Sequence, residues 1–152
     1  MSCTAGEIYD RAIHLMDGQR DSDGSTVFSE TKDYQVRACP LLSTLLNEVY
    51  PYSDTYAQAL ALTEPGKRPV LPPVTALTDP VPLDDYLCMS VLPVGLAALF
   101  LREENRVSYE SFWADYLNRL NRARQTLPVS GGEEQIEDLY GGIEHGKYGK
   151  WL

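Results

Sequence analysis

The side chains able to do chemistry are few and lie far apart. Asp84 and Asp85 are adjacent carboxylates just ahead of a long apolar run. Acid–base catalysis needs two such groups converging on one reacting atom. Neighbours in sequence do not face each other on a helix, so the pair reads as a helix start, where negative charge complements free N–H groups and the macrodipole. His14 could act as a base, but no nucleophile with a recognisable spacing accompanies it, and it reads as a solvent-facing or partly packed histidine. Cys3, Cys39 and Cys88 are odd in number and widely spaced, as free thiols in a reducing compartment are. Cys39 and Cys88 lie within apolar helical patterns and read as core. With only His14 and His145 as imidazoles, no zinc-binding spacing can be assembled. Gly131-Gly132 lacks the preceding strand and following helix that a phosphate-binding loop needs. The expectation is a protein that is not an enzyme and uses no metal or cofactor.

Two other features ask for a partner rather than a reaction. Residues Leu139 to Leu152 read LYGGIEHGKYGKWL, with Gly141, Gly142, Gly146 and Gly149 set between Tyr140, Ile143, Tyr148 and Trp151. Glycine at this density disfavours a helix. Aromatic anchors on such a backbone suit a segment that orders in a partner's groove. Tyr140, Gly141, Gly142, Ile143, Tyr148 and Trp151 are the expected docking residues. An unstructured end, or a strand laid back on its own domain, is the plainer alternative. The second feature is charge asymmetry. The chain is acidic, yet Arg102, Arg106, Arg119, Arg122 and Arg124 gather in one region. They are either a solvated helix surface with i,i+4 pairing or one side of an ionic contact between subunits. Arg119 and Arg122 are the candidates for such an interface.

The elements that must position these residues follow from periodicity and punctuation. Thr4-Ala-Gly-Glu7 is a capping box, with Cys3 and Ile8 at staple positions. Ile8, Ala12, Leu15 and Met16 share one face of the helix it opens, and Gly18 should end that helix. A polar loop follows over 18–27. A second helix is expected from about Ser29 to Tyr50, with a kink or break near Val36–Cys39 caused by Pro40. A short helix is expected at Asp54–Leu62, with Tyr56, Leu60 and Ala61 inward. Residues 64–82 hold six of the ten prolines and should be extended, forming a long arm or a β-excursion packed across the bundle or a neighbour. A third helix should run from Asp84 to Leu101, apolar almost all round and so central, with Pro93 threatening a second kink. Its Gly95, Ala97 and Ala98 would let neighbouring helices approach. A fourth helix should start at the Ser108 cap, stapled by Val107 and Phe112. Tyr109, Phe112, Trp113, Tyr116, Leu120 and Ala123 would form its inner stripe, and Pro128 would end it. The fold expected is an all-α bundle of four to five helices, with a proline-rich insert and an extended C-terminal tail. Residues 1–128 form the helical domain; 129–152 form a hinge and docking tail.

Composition bounds the function classes. The 152 residues suit one domain with one core. A net charge of −9, with no Lys/Arg cluster, speaks against a free nucleic-acid binder. The longest apolar run, Val91 to Leu101, is about half a membrane span, and Met1 to Met16 lacks the pattern of a signal peptide.

The order of motifs then carries a resemblance. Ile8-Tyr-Asp-Arg-Ala12 comes first, then Pro40-Leu-Leu-Ser-Thr-Leu-Leu-Asn47-Glu48 and the proline-rich insert. Pro82-Leu-Asp-Asp-Tyr86 and Leu92-Pro-Val-Gly-Leu-Ala-Ala98 follow, then Phe112-Trp-Ala-Asp-Tyr-Leu-Asn-Arg-Leu120, Tyr140-Gly-Gly142 and Tyr148-Gly-Lys-Trp151. From Ile8 to Trp151 the chain resembles the small helical head-to-tail adaptor (connector) proteins of tailed bacteriophages. The resemblance implies a structural virion protein of the neck, made in the bacterial host cytoplasm. It implies a homo-oligomeric ring, usually twelvefold, beneath the portal protein, which extends the DNA channel and meets a tail or stopper protein. DNA would pass without specific binding, and no membrane is involved. C-terminal segments in that family often reach onto the portal. The competing expectation is a helical interaction protein outside the virion, such as an assembly chaperone or small cytosolic regulator.

Overall fold

Thr4 and Glu7 open the first helix by satisfying each other's backbone groups. A computed structural model describes residues 3–16 and 32–127. In it Thr4 Oγ1 accepts the Glu7 N–H at 3.3 Å, and Glu7 Oε2 accepts the Thr4 N–H at 3.1 Å. The expected capping box thus begins α1 (Ala5–Leu15). Ala5, Ile8, Tyr9, Ala12 and Ile13 are buried. Leu15, expected inward, is 41% exposed, because the buried stripe turns along Ile8, Ala12 and Ile13 and leaves position 15 at its edge. Gly18, the expected stop, lies outside the described residues.

The second helix, α2 (Lys32–Val49), buries Ala38, Leu42, Leu45, Leu46 and Val49. Residues 29–31 of the expected span lie outside the described residues. The helix runs unbroken through Pro40. The carbonyl that Pro40 deprives of a donor belongs to Val36, a residue 69% exposed, where water can serve it. A 3₁₀ turn over Tyr50–Tyr52 leads to α3 (Tyr56–Leu62). No residue of α3 is buried; Leu60 is 49% exposed and Leu62 89%, and Ala61 is exposed. The inward face expected for Leu60 and Ala61 is therefore corrected. The anchors of this short helix are Tyr56, edge-on to Tyr50 at 5.1 Å, and Ala59, both partly buried against the core.

The proline-rich stretch is extended, as expected, and is fastened to its own bundle. The Leu71 N–H donates to Asn47 Oδ1 at 2.8 Å and the Val74 N–H to Ser43 Oγ at 2.9 Å. It then turns at Asp79, whose carboxylate accepts the Thr75 and Ala76 N–H groups and the Thr75 hydroxyl. Those three hydrogen bonds, the Thr75 N–H first, hold the Asp79 carboxyl below its ordinary pKa. The turn also closes α1: the Ala5 N–H donates to Asp79 O at 2.9 Å and the Gly6 N–H to Leu77 O at 2.7 Å. Beyond it, β2 (Pro80–Val81) pairs antiparallel with β1 (Cys3–Thr4), Cys3 opposite Val81 and Thr4 opposite Pro80. Cys3 thus serves as a buried strand residue. Strands of two residues leave no alternation to read.

The apolar segment forms the centre. Asp85 and Tyr86 are helical, Leu87–Val91 is a π-helical turn, and α4 (Leu92–Leu101) follows. Leu87, Cys88, Val91, Leu92, Leu96, Ala97, Ala98 and Phe100 are fully buried. The kink expected at Pro93 is absorbed by the π turn. The Leu92 N–H reaches back to Leu87 O, five residues earlier, which puts Pro93 in the first turn of α4, where a missing donor is tolerated.

The last described helix, α5 (Arg106–Gln125), is capped by Asn105, whose side chain accepts the Ser108 N–H at 3.1 Å. Ser108 is therefore not the cap. The Val107–Phe112 staple does not form, since the earlier start leaves Val107 79% exposed. Tyr116, Leu120 and Ala123 of the expected stripe are buried; Tyr109, Phe112 and Trp113 are half-buried. At Gly95 an added Cβ would lie 2.8 Å from the Tyr116 ring and 3.2 Å from Leu45 Cδ1, so the close approach of α4 to α5 and α2 requires this glycine. Among the described residues the architecture is all-α apart from the two-strand ladder.

Candidate functional site

Pro93 and the π turn also shape a cleft. A π turn takes carbonyls off the regular ladder, and the Ser90 carbonyl accepts Arg119 Nη1 at 3.2 Å. Arg119 Nε meanwhile donates to Asp115 Oδ2 at 3.1 Å, one turn earlier on α5. This arginine therefore ties α5 to the central helix. Beside it lies a cleft of about 310 Å³, lined by Arg11, His14 and Leu15 of α1, Met89 and Ser90 of the π turn, Pro93 and Val94 of α4, and Arg119. Arg11 and His14 are exposed; Leu15 and Met89 are each 41% exposed. The result is an apolar floor with a nitrogen-rich rim.

A second groove of about 250 Å³ lies where α5 ends. Tyr52, Asp54, Asp84 and Tyr86 line it together with Ala123, Thr126 and Leu127. Asp84 Oδ1 accepts the Asp54 N–H at 3.5 Å, and the Asp84 carbonyl accepts the Cys88 N–H at 3.1 Å. Asp84 therefore starts the central helix with its backbone and steadies the chain entering α3 with its carboxylate.

The thiols are structural. Cys3 and Cys88 are buried, and the Cys88 thiol donates to Leu83 O at 3.6 Å; the adjacent Cys3 thiol and burial push Cys88 far up, while Cys88 in turn draws Cys3 down. The Cys88 thiol stays protonated and is a poor nucleophile. Cys39, expected in the core, is only partly buried and packs at the core's edge; burial raises its thiol, with a smaller push from Asp79. Among the described residues no cluster of three His, Cys, Asp or Glu could hold a metal ion, and no helix is long and apolar enough to cross a membrane.

The two interface candidates differ in setting. Arg119 is half-buried and engaged within its own chain, whereas Arg122 is exposed. Arg106 pairs with Glu110 at 3.3 Å on the open surface. Tyr140, Gly141, Gly142, Ile143, Tyr148 and Trp151 lie outside the described residues, as does the boundary between helical domain and tail. Sequence reasoning missed Arg11 and the cleft. The i,i+3 spacing of Arg11 and His14 was visible, but nothing in the sequence joined them to Ser90 and Arg119. No protein-family model matches the chain, and no curated protein or solved structure matches it either.

Proposed function

We propose that this chain is a structural protein of the phage neck, an adaptor whose subunits form a ring joining portal to tail and extending the DNA channel. The proposal starts from the order of motifs described above. The structural observation that carries it is α3, an apolar helix with no buried residue on an all-α, strongly acidic chain. Isolated apolar side chains on a surface are ordinary, but a helix that buries none of its own residues fits a subunit that gains contacts on assembly. Net charge of −9 suits a channel through which DNA must slide, since like charge limits adhesion. In this role Tyr140, Ile143, Tyr148 and Trp151 are the portal anchors and Arg122 meets a neighbouring subunit.

Imaging of purified particles and of the portal mixed with this protein tests the role. A ring of copies on the portal is expected. Absence from particles, with the protein found only among assembly intermediates, would favour an assembly chaperone. Deleting residues 139–152 is expected to leave the thermal transition in place and to abolish portal attachment. Loss of folding on deletion would mean that the segment belongs to its own core.

A further inference from the structure

We infer that the cleft between α1, the π turn and α5 is the docking site for this chain's own acidic segment, Glu133 to Leu139. The inference stands apart from the neck role. The cleft offers Arg11 and His14, with Arg119 at its edge already paired to Asp115, above the apolar surface of Leu15, Met89 and Pro93. The segment reads EEQIEDL: four carboxylates, no cation, and two aliphatic side chains, Ile136 and Leu139, three residues apart. Carboxylates suit guanidinium groups, and the aliphatic pair suits the exposed Leu15 and Met89.

Reach agrees with chemistry. Arg119 lies eight residues before Leu127 on and beyond α5, about 12 Å at 1.5 Å per residue. Residues 128–132 can span at most about 17 Å, enough to bring Glu133 back to the cleft. A segment tethered this closely has an effective concentration of order millimolar, so modest contacts hold it. The described part of α1 also ends beside the cleft, but the sequence after it, DGQRDSD, carries Arg20 among its acids and has no large aliphatic side chain.

The test is NMR on the full-length chain with labelled Ile, Leu and Met methyl groups. Nuclear Overhauser contacts from Ile136 or Leu139 to Met89 or Leu15 are expected, unchanged on dilution. They should vanish in the variant Glu133→Gln, Glu134→Gln, Glu137→Gln, Asp138→Asn, and weaken in Arg11→Gln, with the signals of α2 unmoved in both. Four results would overturn the inference: no such contacts, contacts seen only between differently labelled copies, contacts that survive the fourfold neutralisation, or cleft methyls touching residues 17–31 instead.

Discussion

Tyr116 holds a hydroxyl that is buried and has no hydrogen-bond partner among the described residues. Its ring fills the space beside Gly95 and packs, tilted by 36°, against Trp113 at 4.8 Å, so the side chain is retained for its aromatic bulk. Leaving a hydroxyl unpaired in the core costs about 1–3 kcal/mol. Tyr116→Phe is expected to raise the denaturant midpoint, by up to about 1 kcal/mol of stability; a fall would mean that the hydroxyl is served by water. Tyr34 is different: its hydroxyl donates to Glu104 Oε2 at 2.6 Å. Burial first, then that hydrogen bond, pushes it up to about 12. An unfolded tyrosine ionises near pH 10, so between about pH 10 and 12 the folded state binds more protons. Its contribution is complete below about pH 10 and is lost as pH rises through that window. Tyr34→Phe should flatten part of the alkaline fall in stability, seen in denaturant titrations at about pH 9 and 11. The two arginines separate in the same way. Arg119→Glu removes a bond to the Ser90 carbonyl and should cost about 1–2 kcal/mol. Arg122→Glu, on the open surface, should stay within about 0.5 kcal/mol. Arg122→Glu is thus the cleaner probe of subunit contact, and it should lower incorporation into particles at unchanged stability. Full incorporation would return Arg122 to the solvated surface.

At the scale of elements, the decisive contact is α4 against α5. Gly95→Ala would drive a methyl group into the Tyr116 ring at 2.8 Å. A loss of about 1–3 kcal/mol is expected, recovered in part when Tyr116 is shortened to Leu in the same chain. Additive losses in a double-mutant cycle would show that the two sites do not touch. The segment 84–101 was legible as the central helix because it is apolar on every side. Its π turn was not, since a slip in backbone register leaves no mark in side-chain order. Thr4 and Glu7 were legible because capping is local chemistry. Val107, Leu60 and Leu15 were misjudged because helical spacing tells which residues share a face, not where the helix starts or which face meets the core. The cleft was illegible for a related reason: Arg11, Ser90 and Arg119 meet only after three elements pack.

At the scale of the molecule, charge governs. With 22 acidic and 13 basic side chains, the free protein is expected to leave duplex DNA unshifted in a gel at physiological salt. Binding that weakened steeply with salt would report lysines and arginines on phosphates and would argue against a channel lining. The sequence conveyed this balance directly. It conveyed less about the proline-rich strap, which had equal standing as an arm to a neighbour. Its hydrogen bonds to Ser43, Asn47, Ala5 and Gly6 tie it to its own chain, through backbone groups that composition does not reveal.

The ladder between Cys3 and Val81 has a consequence for synthesis on the ribosome. The strand that holds the start of α1 and the helix that covers it, α4, are made some 75–90 residues after α1 itself. At roughly 5–20 residues per second, Ile8 and Ile13 wait several seconds without a cover. The nascent chain is therefore exposed to chaperone capture at α1, and folding can finish only when the growing chain returns to that helix.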